Sequence, residues 1–379
     1  MSQSEREVPA RRDDLDWLRV IAVILLIIFH TARIFDAPPW YVKQIPPSNW
    51  ADMLVGFMNW WHMPLFFLIS GAGTWFALNY RSGTEYLRER TRRLFIPFLF
   101  GTLVIVPPQI YYRGISQAGE TLSYIEFYPR YFIGVVPQGN LEWAHLWFLA
   151  YLLTFSLIML PVFLFLKSER GSSRLFKLTN WFEARYSLLW LGLPLALFQV
   201  LLRAGWPGSL DLINDWANFF NYLTYFAYGF LLSSNPVFKR MINRDGPVFI
   251  ILALLGALVF LILAVTGLLP AFGYTPAFML SMVLNGFNSW FWVLSILYIG
   301  QRYLNRRSEV LNYANRAAFP FYVLHQTVIV VLAYYIIKWP VIIPVQFAAI
   351  CAVSFIGTLL IYDLVVKRMG ITRFLFGMK

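Results

Sequence analysis

Four histidines, His30, His62, His145 and His325, stand inside or at the edge of long apolar stretches in a chain of which only 13% is charged. An imidazole in hydrocarbon loses solvation, so it persists where it faces a bundle interior or a wet cavity and binds or moves protons there. The plainer role for any one of them is a neutral ring donating a single hydrogen bond to a neighbouring helix. All four in that setting point to a polar site inside an apolar body. Arg19 lies eleven residues before His30 on the same apolar stretch. Eleven helical steps span about 16 Å and nearly three full turns, which puts both side chains close to one face. One helix would then present a permanent cation near one membrane surface and, in the opposite half, a neutral imidazole, the form a general base requires. The competing reading of Arg19 is an interfacial arginine that snorkels and pairs with Asp16.

The elements that carry these residues are membrane spans. Of the 379 residues, 59% are hydrophobic and 19% aromatic, and the mean hydropathy is +0.59. Several runs approach or exceed the roughly 20 residues that a helix needs to cross a bilayer, and none alternates as a barrel strand would. The expected fold is all-α, a polytopic integral membrane helix bundle of about ten transmembrane helices. The spans fall at 15–35, 53–79, 94–112, 145–166, 187–203, 217–234, 247–269, 278–300, 317–337 and 341–366. This divides the chain into an N-terminal segment (1–14), a single membrane domain (15–366) and a tail (367–379). No connection is long enough for a separate soluble domain. The first span is too long for a secretory signal and carries Arg19 within it, so retention is expected.

The net charge of +12 is arranged by side. Most of the lysines and arginines cluster before the first span, in alternate connections (around Arg81–Arg93, Lys167–Arg185, Lys239–Arg244 and Arg302–Arg316) and after the last. That is the positive-inside pattern, and it predicts an even number of crossings with both termini cytoplasmic. The charge is topological and calls for no nucleic acid. The single cysteine, Cys351, lies in the last span and reads as a small core residue. No metal-ligand pattern is present. The segment from about residue 113 to 144 is the longest external one. Its rings, with Glu120, Glu126 and Glu142, suit either an interfacial aromatic belt, which is favoured, or a sugar-binding platform.

Further motifs accompany the Arg19 and His30 pair. His62 opens the run Met63-Pro64-Leu65-Phe66-Phe67-Leu68-Ile69-Ser70-Gly71, and the next connection ends in Arg90-Thr91-Arg92-Arg93. Arg90 and Arg93 share a face at a helix start, where the helix N-terminus adds its own attraction for anions such as a phosphate-bearing donor. Read alone, they are ordinary positive-inside charge. Ser70 is the one motif serine that could carry an acyl group, although helix packing by Ser70-Gly71 is the stronger reading. His145-Leu146-Trp147-Phe148-Leu149 opens the fourth span, and Phe319-Pro320-Phe321-Tyr322-Val323-Leu324-His325-Gln326 lies in the ninth.

In this order the motifs resemble the acyltransferase-3 family, polytopic membrane enzymes that O-acylate carbohydrates. The run from His145 to Leu149 is most similar to the branch associated with succinylation of periplasmic glucans. Other branches place glutamates just beyond it, where this chain has Ala150 and Tyr151, so a glutamate role does not carry over. The resemblance implies transfer of an acyl group, of succinyl or acetyl type, from cytoplasmic acyl-CoA to a hydroxyl of an extracytoplasmic or lipid-linked glycan or polyol. It implies catalytic roles for His30 and Arg19 and donor binding by Arg90 and Arg93. His62, His145, Trp147, Tyr322 and His325 become candidates for lining the acceptor path. Acyl-CoA would be a substrate, with no permanently bound cofactor and no metal. The setting would be the bacterial inner membrane, with self-association into a homo-oligomer left open. The rival from another class is a transporter or flippase for an anionic or glycan substrate, weakened by the lack of an internal repeat.

Overall fold

The computed structural model describes residues 12–378, which form helices with no named strand among them. Each of the ten expected spans coincides with a helix. The long ones are α1 (Asp13–Phe35), α2 (Asn49–Ala77) and α3 (Gly83–Ala118); α4 (Tyr124–Tyr131) is short, and α5 (Ala144–Lys167) is long again. Then come α6 (Glu169–Phe182), α7 (Ser187–Leu202), α8 (Trp216–Ser233), α9 (Pro236–Val265) and α10 (Pro276–Tyr303). The chain closes with α11 (Glu309–Ile336), α12 (Ile343–Val366) and α13 (Gly370–Leu375). Eight of the described helices are long and apolar enough to cross a membrane, and the pair α6 and α7, bent by 118°, supplies a ninth if taken together. Asparagines and tyrosines keep α8 below that apolarity, and several of them face a cavity described below. The protein is a multi-pass membrane protein.

Helices α1, α2, α10 and α11 form the centre, with α8 against α2, α7 and α9 against α10, and α12 against α11 and α1. The most apolar stretch of α11 is 67% buried, whereas that of α9 is 11% buried, as befits a central post and a lipid-facing rim helix. Small residues permit the closest crossing. A Cβ on Gly71 would overlap the Phe226 carbonyl, and one on Gly229 would overlap the Leu68 carbonyl, so α2 and α8 meet backbone to backbone. Pro64 interrupts the ladder of α2 and frees the carbonyl of Trp60 four residues earlier. The Ser289 hydroxyl of α10 donates to that carbonyl at 2.5 Å and is itself 2.7 Å from the Tyr225 hydroxyl of α8. One missing donor thus ties three helices together, as hydrocarbon requires of any freed backbone group.

Three features depart from the expected outline. Asp13 already belongs to α1, and the tail from residue 367 folds back as α13, with the Phe376 ring 5.4 Å from Phe100. The remainder of the expected N-terminal segment, residues 1–11, lies outside the described residues. Helix α2 begins at Asn49, four residues before the expected start of that span, and His62 lies near its middle. The external segment is also a packed layer, with α4 capped by Ser123 and Glu126 and with Phe127 and Tyr131 buried.

Candidate active site

Two cavities lie at opposite ends of the central helices. The smaller, about 320 Å³, is lined by Arg19, Arg81, Arg90, Arg93 and Asn315, with Ser70, Phe66, Met63 and Tyr322 deeper in. The structure brings Arg90 and Arg93, expected to bind the donor, together with Arg81 and with Arg19, which was expected to act with His30 but lines this cavity while His30 lines the other. Arg19 donates from Nη2 to Asp16 Oδ1 at 2.8 Å and to Asn315 Oδ1 at 2.7 Å. Arg90 is oriented by the Tyr86 hydroxyl and by Thr74 Oγ1, each 3.1 Å away. Glu89 is shared between Arg81 at 2.8 Å and Arg93 at 3.4 Å. With two carboxylates among four guanidinium groups, the cavity stays cationic. A five-residue π-helical stretch, Thr91–Phe95, carries Arg93 into it, an irregularity common at functional sites.

The larger cavity, about 1640 Å³, is lined by His30, His62, His145, Trp147, Tyr322 and Gln326 at its base. Higher up are the amides of Asn59, Asn218, Asn221 and Asn285 and the rings of Trp60, Trp143 and Tyr222. Trp147 and Tyr222 stack at 5.5 Å. At the mouth, Tyr41 donates to Glu142 Oε1 at 2.5 Å, while Arg113 holds Glu142 Oε2 at 3.1 Å. Desolvation and the facing Glu142 carboxylate push the Tyr41 phenol well above its ordinary value, so it remains a donor. Burial raises the Asp36 carboxyl behind this rim, opposed by the hydrogen bond from Lys43 and the charges of Arg33 and Lys43.

Met63 and Tyr322 line both cavities and form the partition between them. The Tyr322 hydroxyl is fixed by donation to the His145 carbonyl at 2.5 Å.

Hydrogen-bond polarity sorts the histidines, because a backbone carbonyl can only accept. His145 donates from Nε2 to the Val323 carbonyl at 3.0 Å, and its Nδ1 faces the Gln109 amide at 3.5 Å. His62 donates from Nε2 to the Ala22 carbonyl at 2.7 Å and cross-links α2 to α1. His30 donates from Nδ1 to the Leu26 carbonyl at 3.1 Å, which leaves Nε2 as the bare nitrogen. Trp40 stacks on the His30 ring at 6.1 Å, with 25° between the planes. His325 is fully buried and lines neither cavity; its Nε2 lies 3.1 Å from His30 Nδ1.

The acyltransferase domain of the acyltransferase-3 family matches residues 12–363. The chain belongs to the acyltransferase-3 family. It is also similar to glucans biosynthesis protein C of Escherichia coli strains SMS-3-5, 536 and HS, at 25% identity over 388 aligned positions in each case. Those alignments cover 98% of this chain and 96% of each relative. No solved structure matches it. The protein is accordingly a membrane acyltransferase.

Some of this acyltransferase's site residues escape sequence reasoning. Arg81 looks like any loop arginine until Glu89 links it to Arg93. Gln109 and Gln326 share a hydrogen bond of 2.8 Å across 217 residues and brace His145 through the Gln109 amide. Polar amides within apolar runs were the available signal, of the same kind that exposed the histidines.

Proposed function

We propose that this protein transfers an acyl group from acyl-CoA to a hydroxyl of a glycan, with His30 as the general base. The supporting observation is the pair of cavities, one ringed by arginines and one based on histidines, that share the partition of Met63 and Tyr322. The CoA phosphates would lie with Arg19, Arg81, Arg90 and Arg93, and the thioester would reach the partition through the smaller cavity. The acceptor would enter the larger cavity, whose rings offer stacking faces and whose amides can both donate to and accept from sugar hydroxyls. His30 Nε2 takes the hydroxyl proton as the oxygen bonds to the thioester carbon. The C–S bond breaks, and the departing thiolate collects the proton, leaving ester and free CoA.

The names of the relatives favour a glucan-type acceptor and, because those relatives are bacterial, the inner membrane as the setting. The concentration of basic residues at the end bearing the smaller cavity favours the cytoplasmic side for the donor. Acyl-CoA is a substrate in this scheme, and the acyl group is of succinyl or acetyl type. The test is the purified protein in detergent with succinyl- or acetyl-CoA and a glucan acceptor, read as free thiol and acylated product. Acceptor-dependent thiol release that disappears in His30→Ala is expected; release that is unchanged in His30→Ala removes the base.

A further inference from the structure

We infer that His325 is a positioning residue that holds His30 in the tautomer needed for proton removal; the inference rests on the acyl-transfer reading above. His325 cannot serve the acceptor directly, since its ring is fully buried and lines neither cavity. Its Nδ1 lies 2.6 Å from the Tyr322 carbonyl oxygen. That oxygen only accepts, so Nδ1 carries the hydrogen, and the Nε2 of the neutral ring is an acceptor. This acceptor faces His30 Nδ1 at 3.1 Å, and the Leu26 carbonyl faces the same Nδ1 at 3.1 Å. One hydrogen on His30 Nδ1 satisfies both partners. The opposite tautomer would set a bare nitrogen against two acceptors.

Packing holds the pair in place. Phe321 stacks on His325 with 6° between the planes, His145 meets His325 nearly perpendicular at 5.2 Å, and Phe29 presents its edge to His30 at 5.1 Å. When the acceptor proton arrives at His30 Nε2, the hydrogen on Nδ1 becomes that of an imidazolium, and its bond to His325 Nε2 becomes charge-assisted. A contact that strengthens only as the proton moves lowers the barrier without tightening ground-state binding. His325 gains no proton: the one taken at Nε2 leaves with the thiolate, and Nδ1–H stays on His30 throughout.

The test compares full-length wild type with His325→Met, His325→Gln, His30→Ala and the double variant His30→Ala/His325→Met, reading kcat and the KM for acyl-CoA. Met and Gln are similar in shape, but only Gln offers an oxygen to His30 Nδ1–H. We expect His325→Met to lose about 10- to 100-fold in kcat with little change in KM, as for other partners that orient a functional histidine. His325→Gln should recover most of that loss, and the double variant should be no worse than His30→Ala alone. If His30→Ala is inactive while His325→Met keeps wild-type kcat, or if Gln is as impaired as Met, the inference fails and the acyl-transfer reading stands. If wild type releases no acceptor-dependent thiol, the acyl-transfer reading fails; if His30→Ala retains full activity, the assignment of His30 as base fails and the inference falls with it. Should the Met variant not fold, the Gln variant decides: kcat within about fivefold of wild type supports the role, and a fall to the His30→Ala level overturns it.

Discussion

His145 spends both ring nitrogens on the protein, one on the Val323 carbonyl and one facing Gln109, whereas His30 keeps Nε2 uncommitted. Loss of the two rings should therefore look different. His30→Ala is expected to lower kcat by about 10²- to 10⁴-fold with acyl-CoA binding near wild type, a loss far larger than the modest fall in thermal midpoint from leaving His325 Nε2 without its donor. His145→Phe keeps the volume but leaves the Val323 carbonyl and the Gln109 amide without the ring, a loss of about 1–3 kcal/mol. It should appear first as a lower thermal midpoint in detergent, and a wild-type midpoint with lost activity would make His145 a reacting group instead. Residue types in apolar runs were legible in the sequence, and so was the pairing of Arg90 with Arg93; that Arg19 joins them rather than His30 was not. The partner of His30 was not, because it is 295 residues away and becomes a neighbour only through the packing of α1 against α11.

Among the helices, the crossing of α2 and α8 has the least room. Gly229→Ala sets a Cβ against the Leu68 carbonyl, so the backbones must part, at about 1–3 kcal/mol for overpacking. Because Met63 and Phe66 ride on the same helix and line the smaller cavity, where the scheme places the donor, the expected result is a lower thermal midpoint together with a raised KM for acyl-CoA. An unchanged midpoint would mean the two helices sit further apart. Each of the ten apolar stretches lies on a helix, and eight of the described helices, or nine with the α6–α7 pair, are long and apolar enough to cross hydrocarbon. What escaped is what those quantities do not encode. Helix α6 is amphipathic and short, the α6–α7 bend is a backbone event, and the π-helical stretches within α3 shift which residues face inward.

Across the whole molecule, the scheme has the two substrates arrive from opposite ends and never share an entrance. In sealed vesicles with a single protein orientation, acyl-CoA should work only from the face bearing Arg90 and Arg93, and acceptor only from the other. Free thiol should appear on the arginine face. Raising salt should weaken the donor side by raising the KM for acyl-CoA, with less effect on the acceptor. Passage of glycan or anion across the vesicle without thiol release would identify a carrier instead. The gathering of lysines and arginines in alternate connections was readable from the sequence itself. The sizes of the two cavities were not, since they depend on side chains from five helices around the smaller and eight around the larger.

The partition of Met63 and Tyr322 has a consequence for the cell's energy supply. Two chambers that share a partition would, if joined by an unbroken water column, discharge the ion gradient on which an energised membrane runs. In the proposed scheme, a thioether and a phenol clamped to a carbonyl stand between the chambers as the barrier that the acyl arm has to pass. The enzyme would thus carry out chemistry across a membrane without puncturing it. Met63→Gly combined with Tyr322→Ala should make energised vesicles leak protons, followed with an entrapped pH-sensitive dye, whereas wild-type vesicles hold their gradient.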